Sequence, residues 1–241
     1  KNENFQSNEF KILGMPENGT FAEFVKIEKS YLYRKPSHLD FEQASAIPLA
    51  GVTAFRALYK KANLTEKDNI LITGIGGGVS SLALSFALKT CENVFVTSGS
   101  DIKIAKAVSL GAKAGINYKD ENWHKKISEI SENKINVVID SSGGETYSKC
   151  LEILNPGGRI VSYGASNGNS EQFNIFKLYW KQLQINGTTM GSDKDFAEMM
   201  EFINVKKVYP VIDSVLSMSE IHKGFAILNS SEQIGKIVLK N

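Results

Sequence analysis

A glycine cluster set between two apolar segments of different period constrains this chain most. Ile70-Leu71-Ile72-Thr73 is a short apolar run. Thr73-Gly74-Ile75-Gly76-Gly77-Gly78-Val79-Ser80 overlaps its end, and positions 79, 82, 83, 84, 86, 87 and 88 are then apolar. The first run is too short for a helix and reads as a buried strand, while the second segment reads as a well-buried helix. Strand, glycine turn and helix in that order can dock a dinucleotide pyrophosphate. Small residues let the backbone approach it, and the helix start offers free N–H groups and a positive dipole end. Gly74 and Gly76 supply a G-x-G, but the third glycine place of that frame is Val79. Such a pattern is weak by itself and takes its weight from the segments around it.

Those segments continue the alternation. Strands are predicted at 94–97, 114–118, 136–140, 159–163 and 183–189, with helices at 101–110, 122–131, 146–154 and 173–181 between them. The stop after the third of these helices is Asn155-Pro156-Gly157-Gly158, residues that a helix does not continue through. With the strand before the glycines, this makes an α/β fold with a doubly wound parallel six-stranded sheet, the Rossmann arrangement. Two flanks fall outside the series. On one side Phe21–Ile27 alternates like a strand and precedes helices Phe41–Ile47 and Pro48–Lys61. On the other lie a helix at Asp193–Asn204, a Pro210 loop, a helix at Met218–Leu228 and a strand at Gly235–Leu239. The flanks, 1–50 and 193–241, are expected to be parts of a second domain interrupted by the sheet domain, 51–192.

Composition removes several classes of function. Lys plus Arg less Asp plus Glu is 28 − 26 = +2, which argues against a dedicated nucleic-acid or membrane-surface protein. Cys91 and Cys150 are the two cysteines, too few for a disulfide scaffold or a four-thiolate zinc site. No apolar run approaches the ~20 residues of a membrane span, and no secretory segment opens the chain, so a cytoplasmic location is expected. The chain opens Lys1-Asn2-Glu3-Asn4 rather than with Met, as a tag, a processed terminus or a fragment would.

The end of the second sheet strand addresses cofactor choice. An acidic residue ~20 positions after the glycines would bind the ribose hydroxyls of NAD. Ser98 stands there instead, in Val96-Thr97-Ser98-Gly99-Ser100-Asp101-Ile102-Lys103. Lys103 falls in the first turn of the next helix, where the dipole disfavours a cation. A 2′-phosphate would offset that, and Tyr118 at the end of the third strand could cover the same group. These residues favour NADP(H) over NAD(H). His38, His124 and His222 are scattered and read as surface histidines.

Several further motifs carry a resemblance. Gly19-Thr20-Phe21-Ala22-Glu23-Phe24-Val25 and Ala46-Ile47-Pro48-Leu49-Ala50-Gly51-Val52-Thr53-Ala54 precede the glycine loop. Leu110-Gly111-Ala112, Ile116-Asn117-Tyr118, Pro156-Gly157-Gly158-Arg159 and Gly235-Lys236-Ile237-Val238-Leu239 follow it. In this order they resemble the medium-chain dehydrogenase/reductase superfamily, most of all its zinc-independent quinone oxidoreductase branch and bacterial relatives called zinc-type alcohol dehydrogenase-like. The resemblance implies a Rossmann domain joined to a GroES-like β domain, with NAD(P)H in the cleft between them. It also implies that half of the GroES-like domain precedes Gly19-Thr20, so with 18 residues before that motif the domain is expected to be incomplete here.

By family position the cofactor would meet Thr53, Gly76, Gly77, Gly78, Val79, Ser98, Lys103, Tyr118, Ser141, Tyr163, Gly164, Ala165 and Met190. Two places depart from the family pattern: Ser80 replaces the last loop glycine and Ile75 an early small residue. The place of a zinc-ligating cysteine, four before Thr53, is Leu49, so no zinc is expected. The short-chain reductases use a Tyr-x-x-x-Lys pair after the glycine loop. The spacing occurs here at Tyr31 and Lys35, before it.

The implied activity is NADPH-dependent hydride transfer to a quinone or an α,β-unsaturated carbonyl. A zinc-free alcohol or aldehyde reductase and a non-catalytic NADP-binding module are the alternatives. A homodimer through the edge strand near Leu183–Thr189 is the expected assembly.

Overall fold

The structure, a computed structural model, describes residues 5–8 and 10–241; the polar opening Lys1–Asn4 lies outside them. Two short strands come first, β1 (Ile12–Leu13) and β2 (Pro16–Glu17), then helices α1 (Phe41–Ser45) and α2 (Pro48–Phe55). The sheet series runs β3 (Asn69–Ile72), α3 (Gly78–Ala87), β4 (Asn93–Ser98), α4 (Asp101–Ser109) and β5 (Ala114–Asn117). It continues with α5 (Trp123–Ile130), β6 (Val137–Asp140), α6 (Gly144–Ile153), β7 (Arg159–Ser162), α7 (Ile175–Trp180) and β8 (Gln184–Gly187). The last elements are α8 (Asp193–Lys206), β9 (Ile212–Ser217), α9 (Ile221–Ser230) and β10 (Lys236–Lys240).

Strands β3 to β8 form one parallel sheet in the order β5-β4-β3-β6-β7-β8. The order reverses between β3 and β6, and the crevice at such a reversal is where doubly wound sheets take ligands. Each central strand is covered on both faces, which is why it reads as continuously apolar. Side chains alternate across a strand. Ile70 and Ile72 accordingly join α2, α3 and α8 in one core, and Leu71 joins α5 and α6 in the other.

The first core crosses the expected boundaries at 50/51 and 192/193. Leu39, Ile47, Met199, Ile203 and Val208 share it with Ile70, Ile72 and Leu82. Gly51 shows how closely α2 and α8 approach: a Cβ there would lie 2.9 Å from the Met199 sulfur. Helix α2 runs on through Arg56–Lys61 in wider, π-type turns, where a single regular helix to Lys61 is expected.

Two expectations about the flanks are corrected. Phe21–Ile27 is not a strand; all seven residues are exposed, Phe24 at 88%. Alternation makes a strand only where a neighbour takes its N–H and C=O groups, and among the described residues none lies alongside. Conversely, the segment after the Pro210 loop contains β9, which pairs in parallel with β10. Its Asp213, Ser214 and Ser217 obscure the apolar signal. No helix of the described residues is long and apolar enough to cross a membrane.

Strand β8 forms one edge of the sheet. Beside it in sequence, the α7 side chains Phe176 and Trp180 stack with ring centres 5.7 Å apart, both more than half exposed.

Candidate functional site

The glycine loop joins β3 to α3 beside the sheet reversal. Gly74 (φ +63°) and Gly76 (φ +117°) adopt backbone conformations that side-chain-bearing residues rarely take. The Ile75 N–H donates to the Thr97 carbonyl at 2.7 Å, and its side chain is buried. Ile75 therefore replaces a small residue without obstructing the loop's outer face. The Ser80 hydroxyl donates to the carbonyl of Gly74 at 2.8 Å and lies 3.1 Å from that of Gly77. Where the family has glycine, this serine straps the loop to the start of α3. Gly77 caps α3 with no side-chain acceptor, which leaves the donors of the first turn open to an anion.

The ends of β3 and β6 are bound by one buried carboxylate. Asp140 accepts from the Thr73 hydroxyl at 2.7 Å and from the N–H groups of Ser142 and Gly143 at 3.1 and 3.0 Å. Thr73 in turn accepts from the Ser141 N–H. The Tyr163 hydroxyl meets the side chains of Ser141 and Ser80, and burial pushes its pKa up to about 12. A Cβ on Gly164 would lie 3.4 Å from the Ser141 carbonyl. A Cβ on Gly143 would lie 3.0 Å from that of Ala165. Ser141, Tyr163, Gly164 and Ala165 are thus brought together as expected, with Asp140 and Thr73 beneath them. Neither of these two was among the expected residues.

Thr53 and Met190 also meet. The Thr53 hydroxyl donates to Leu49 at 3.0 Å and lies 3.9 Å from the Met190 sulfur. Met190 is left-handed, φ +50°. Its turn is anchored by Asp195, which accepts from the Ser192 N–H at 2.9 Å and forms a buried ion pair with Arg56 of α2.

At the ribose end the three expected residues take different roles. Ser98 is buried and its hydroxyl donates to the Ile75 carbonyl at 3.1 Å, so it holds the loop. Tyr118 lies over Gly99, its hydroxyl oxygen 2.7 Å from where a Cβ would be. Lys103 crosses Gly76, its Cδ 2.5 Å from that residue's notional Cβ. Sequence reading missed Lys236, which flanks the loop from the other side. A Cβ on Gly78 would lie 2.8 Å from Lys236 Cδ and 3.7 Å from Nζ. Burial lowers the Lys236 pKa. The Gly235 N–H donates to the Gly76 carbonyl at 2.9 Å, bringing β10 to the loop. Only tertiary structure joins these residues; the sole local signal was Gly235-Lys236.

The histidines lie elsewhere. His38 is half-buried against the Val208 carbonyl, 3.1 Å from Nε2. The His124 side chain is only 14% exposed, correcting its surface reading, and burial lowers its pKa. His222 is exposed.

Five buried or half-buried acids remain protonated to unusually high pH. Burial raises Cys91 to about 11, Tyr163 to about 12, and Tyr59, Tyr147 and Cys150 in the same direction. Above their ordinary pKa values the unfolded chain binds fewer protons than the folded one, so stability falls as pH rises. It is fully present below about pH 9 and is lost between about pH 9 and pH 12. The urea midpoint should drop between about pH 8 and about pH 10.5; an unchanged midpoint would contradict these burials.

The comparisons follow from this geometry. Residues 74–205 match the family described as zinc-binding dehydrogenase. The chain belongs to that family. Its place is within the medium-chain dehydrogenase/reductase superfamily. It is 35% identical over 238 residues to a zinc-type alcohol dehydrogenase-like protein of Leptosphaeria maculans, covering 95% of this chain and 65% of that one. It is 29% identical over 229 residues to an acryloyl-coenzyme A reductase of Metallosphaera sedula, covering 92% and 65%. A crystal structure of an NAD-dependent alcohol dehydrogenase superposes with a TM-score of 0.90 at 32% identity, over 97% of this chain and 68% of that one. The chain thus spans about two thirds of the length of these relatives.

The family's name implies zinc, and the described residues do not fit it. Leu49 is half exposed and has no donor atom. Cys91 and Cys150 are buried in separate cores. Among the described residues no three His, Cys, Asp or Glu side chains group to hold a metal. A dinucleotide does fit: the loop offers open backbone donors, and the flexible lysine side chains over Gly76 and Gly78 supply flanking cations.

Proposed function

We propose that this dehydrogenase-family chain binds NADPH across the glycine loop and serves reduction of electron-poor acceptors, quinones or α,β-unsaturated carbonyls, without zinc. Lys103 carries the reading: its side chain lies over Gly76 beside the glycine loop, and Ser98 stands where NAD-binding sites place an acid. The α3 donors and Lys236 would hold the diphosphate, and Lys103 with Tyr118 the 2′-phosphate. Ser141, Gly164, Ala165, Thr53 and Met190 would border the nicotinamide end and exclude water. When bound, the reduced nicotinamide supplies the hydride. Leu49 at the place of a metal ligand supports an acceptor that is itself activated. The accompanying proton is assigned to water. The name of the acryloyl-coenzyme A reductase supports this acceptor class. The NAD-dependent relative argues for the other nucleotide, whereas Lys103 supports NADPH.

The test is NADPH consumption, followed by nicotinamide absorbance, with a quinone, an enone, a simple ketone and an aldehyde, before and after dialysis against a chelator. Turnover on the first two that survives dialysis is expected. Turnover confined to the ketone or aldehyde, turnover lost on dialysis, or no turnover would overturn the reading.

A further inference from the structure

The Lys103 ammonium does not stand free at the ribose end. It donates to the Ser231 carbonyl at 2.6 Å, in the turn that closes α9. That turn is fixed at three points. Ser231 is left-handed, φ +54°. The Ile234 N–H donates to Asp213 Oδ1 on β9 at 2.9 Å, and the Gly235 N–H donates to the Gly76 carbonyl at 2.9 Å. Residues 231–235 therefore lie against the outer side of the glycine loop and bring Glu232 with them. Burial lowers the Lys103 pKa, and two carboxylates, Asp213 and Glu232, oppose that shift. Asp213 is engaged by the loop backbone, whereas Glu232 is exposed.

We propose that residues 231–235 are the outer wall of the ribose-phosphate site, and that Ser231 and Glu232 restrain Lys103 against a 2′-phosphate. The inference rests on the phosphate reading given above. A phosphate entering here would draw the ammonium from the Ser231 carbonyl and would also meet the Glu232 carboxylate. Like-charge opposition of this kind is how a site weakens one ligand relative to another. NADH carries no 2′-phosphate and leaves the Lys103–Ser231 hydrogen bond in place. Glu232 thus sets how far the chain prefers the phosphorylated cofactor, and its removal strengthens NADPH binding alone.

The test is calorimetric titration of the whole chain and of Glu232→Gln with NADPH and with NADH, at low and high salt. Glu232→Gln should bind NADPH roughly threefold more tightly or better at low salt, the gain shrinking at high salt, with NADH affinity unchanged. Lys103→Met provides the reference: with the lysine gone its restraint is gone too, so the NADPH-selective gain from removing Glu232 should shrink to the direct carboxylate–phosphate repulsion alone. An equal change for both cofactors, or none for NADPH, would overturn the wall while leaving the Lys103 site standing. Binding of neither cofactor to the unmodified chain would overturn the phosphate reading and the wall together.

Discussion

Replacing Asp195 by alanine should lower the unfolding free energy by about 3–5 kcal/mol, the range found when one partner of a buried ion pair is removed. Arg56 and Asp195 are both buried, at 7% and 4% exposure. The change removes a carboxylate from a buried guanidinium, and also removes the acceptor of the Ser192 N–H at the start of α8. The effect should be local in origin. The pair joins α2, which carries Thr53, to the turn that carries Met190. Removing both charges, with Arg56→Met added, should recover part of the loss, because a buried pair replaced by apolar groups is often near neutral. Urea unfolding of the unmodified chain and the two variants measures this. A loss below about 1 kcal/mol for the single variant would mean that the pair is hydrated in solution.

The second large effect is on ligand choice. Lys103→Glu should weaken NADPH binding about 100-fold, since loss of a charge-assisted contact and gain of a like charge together amount to about 3 kcal/mol. NADH binding should change little. Lys103 is half-buried on the outside of α4, beyond the strand core, so the fold should tolerate the change. A parallel loss of both cofactors would instead place Lys103 on the diphosphate, which they share.

Much of this architecture was legible because the central sheet strands satisfy one strong rule. Ile70, Leu71 and Ile72 are buried on both faces, so they form an unbroken apolar run that glycines end. Phe21–Ile27 shows where that signal fails: its alternation matches a strand, but a strand also requires a neighbour, which no local pattern reports. β9 fails in the opposite direction, since its pairing with β10 outweighs a polar composition. In the site, Lys103 and Tyr118 were legible because they follow β4 and β5 at positions that the sheet order dictates. Lys236 was not, because β10 reaches Gly78 only through the packing of the C-terminal segment. Ser98 also takes a part in the loop that its sequence position does not show. Its small hydroxyl suits a ribose as well as a loop carbonyl, and only the structure shows it turned toward Ile75.

The measurement that bears most directly on the central claim is the affinity of the unmodified chain for NADPH and for NADH, taken by calorimetry in one buffer. The glycine loop with Lys103 and Lys236 requires one site per chain, and NADPH about tenfold tighter than NADH or more, equivalent to about 1.4 kcal/mol from the phosphate contact. Equal affinities, or NADH the tighter, would contradict the phosphate site while keeping the loop. Binding of neither would contradict the account of the loop itself.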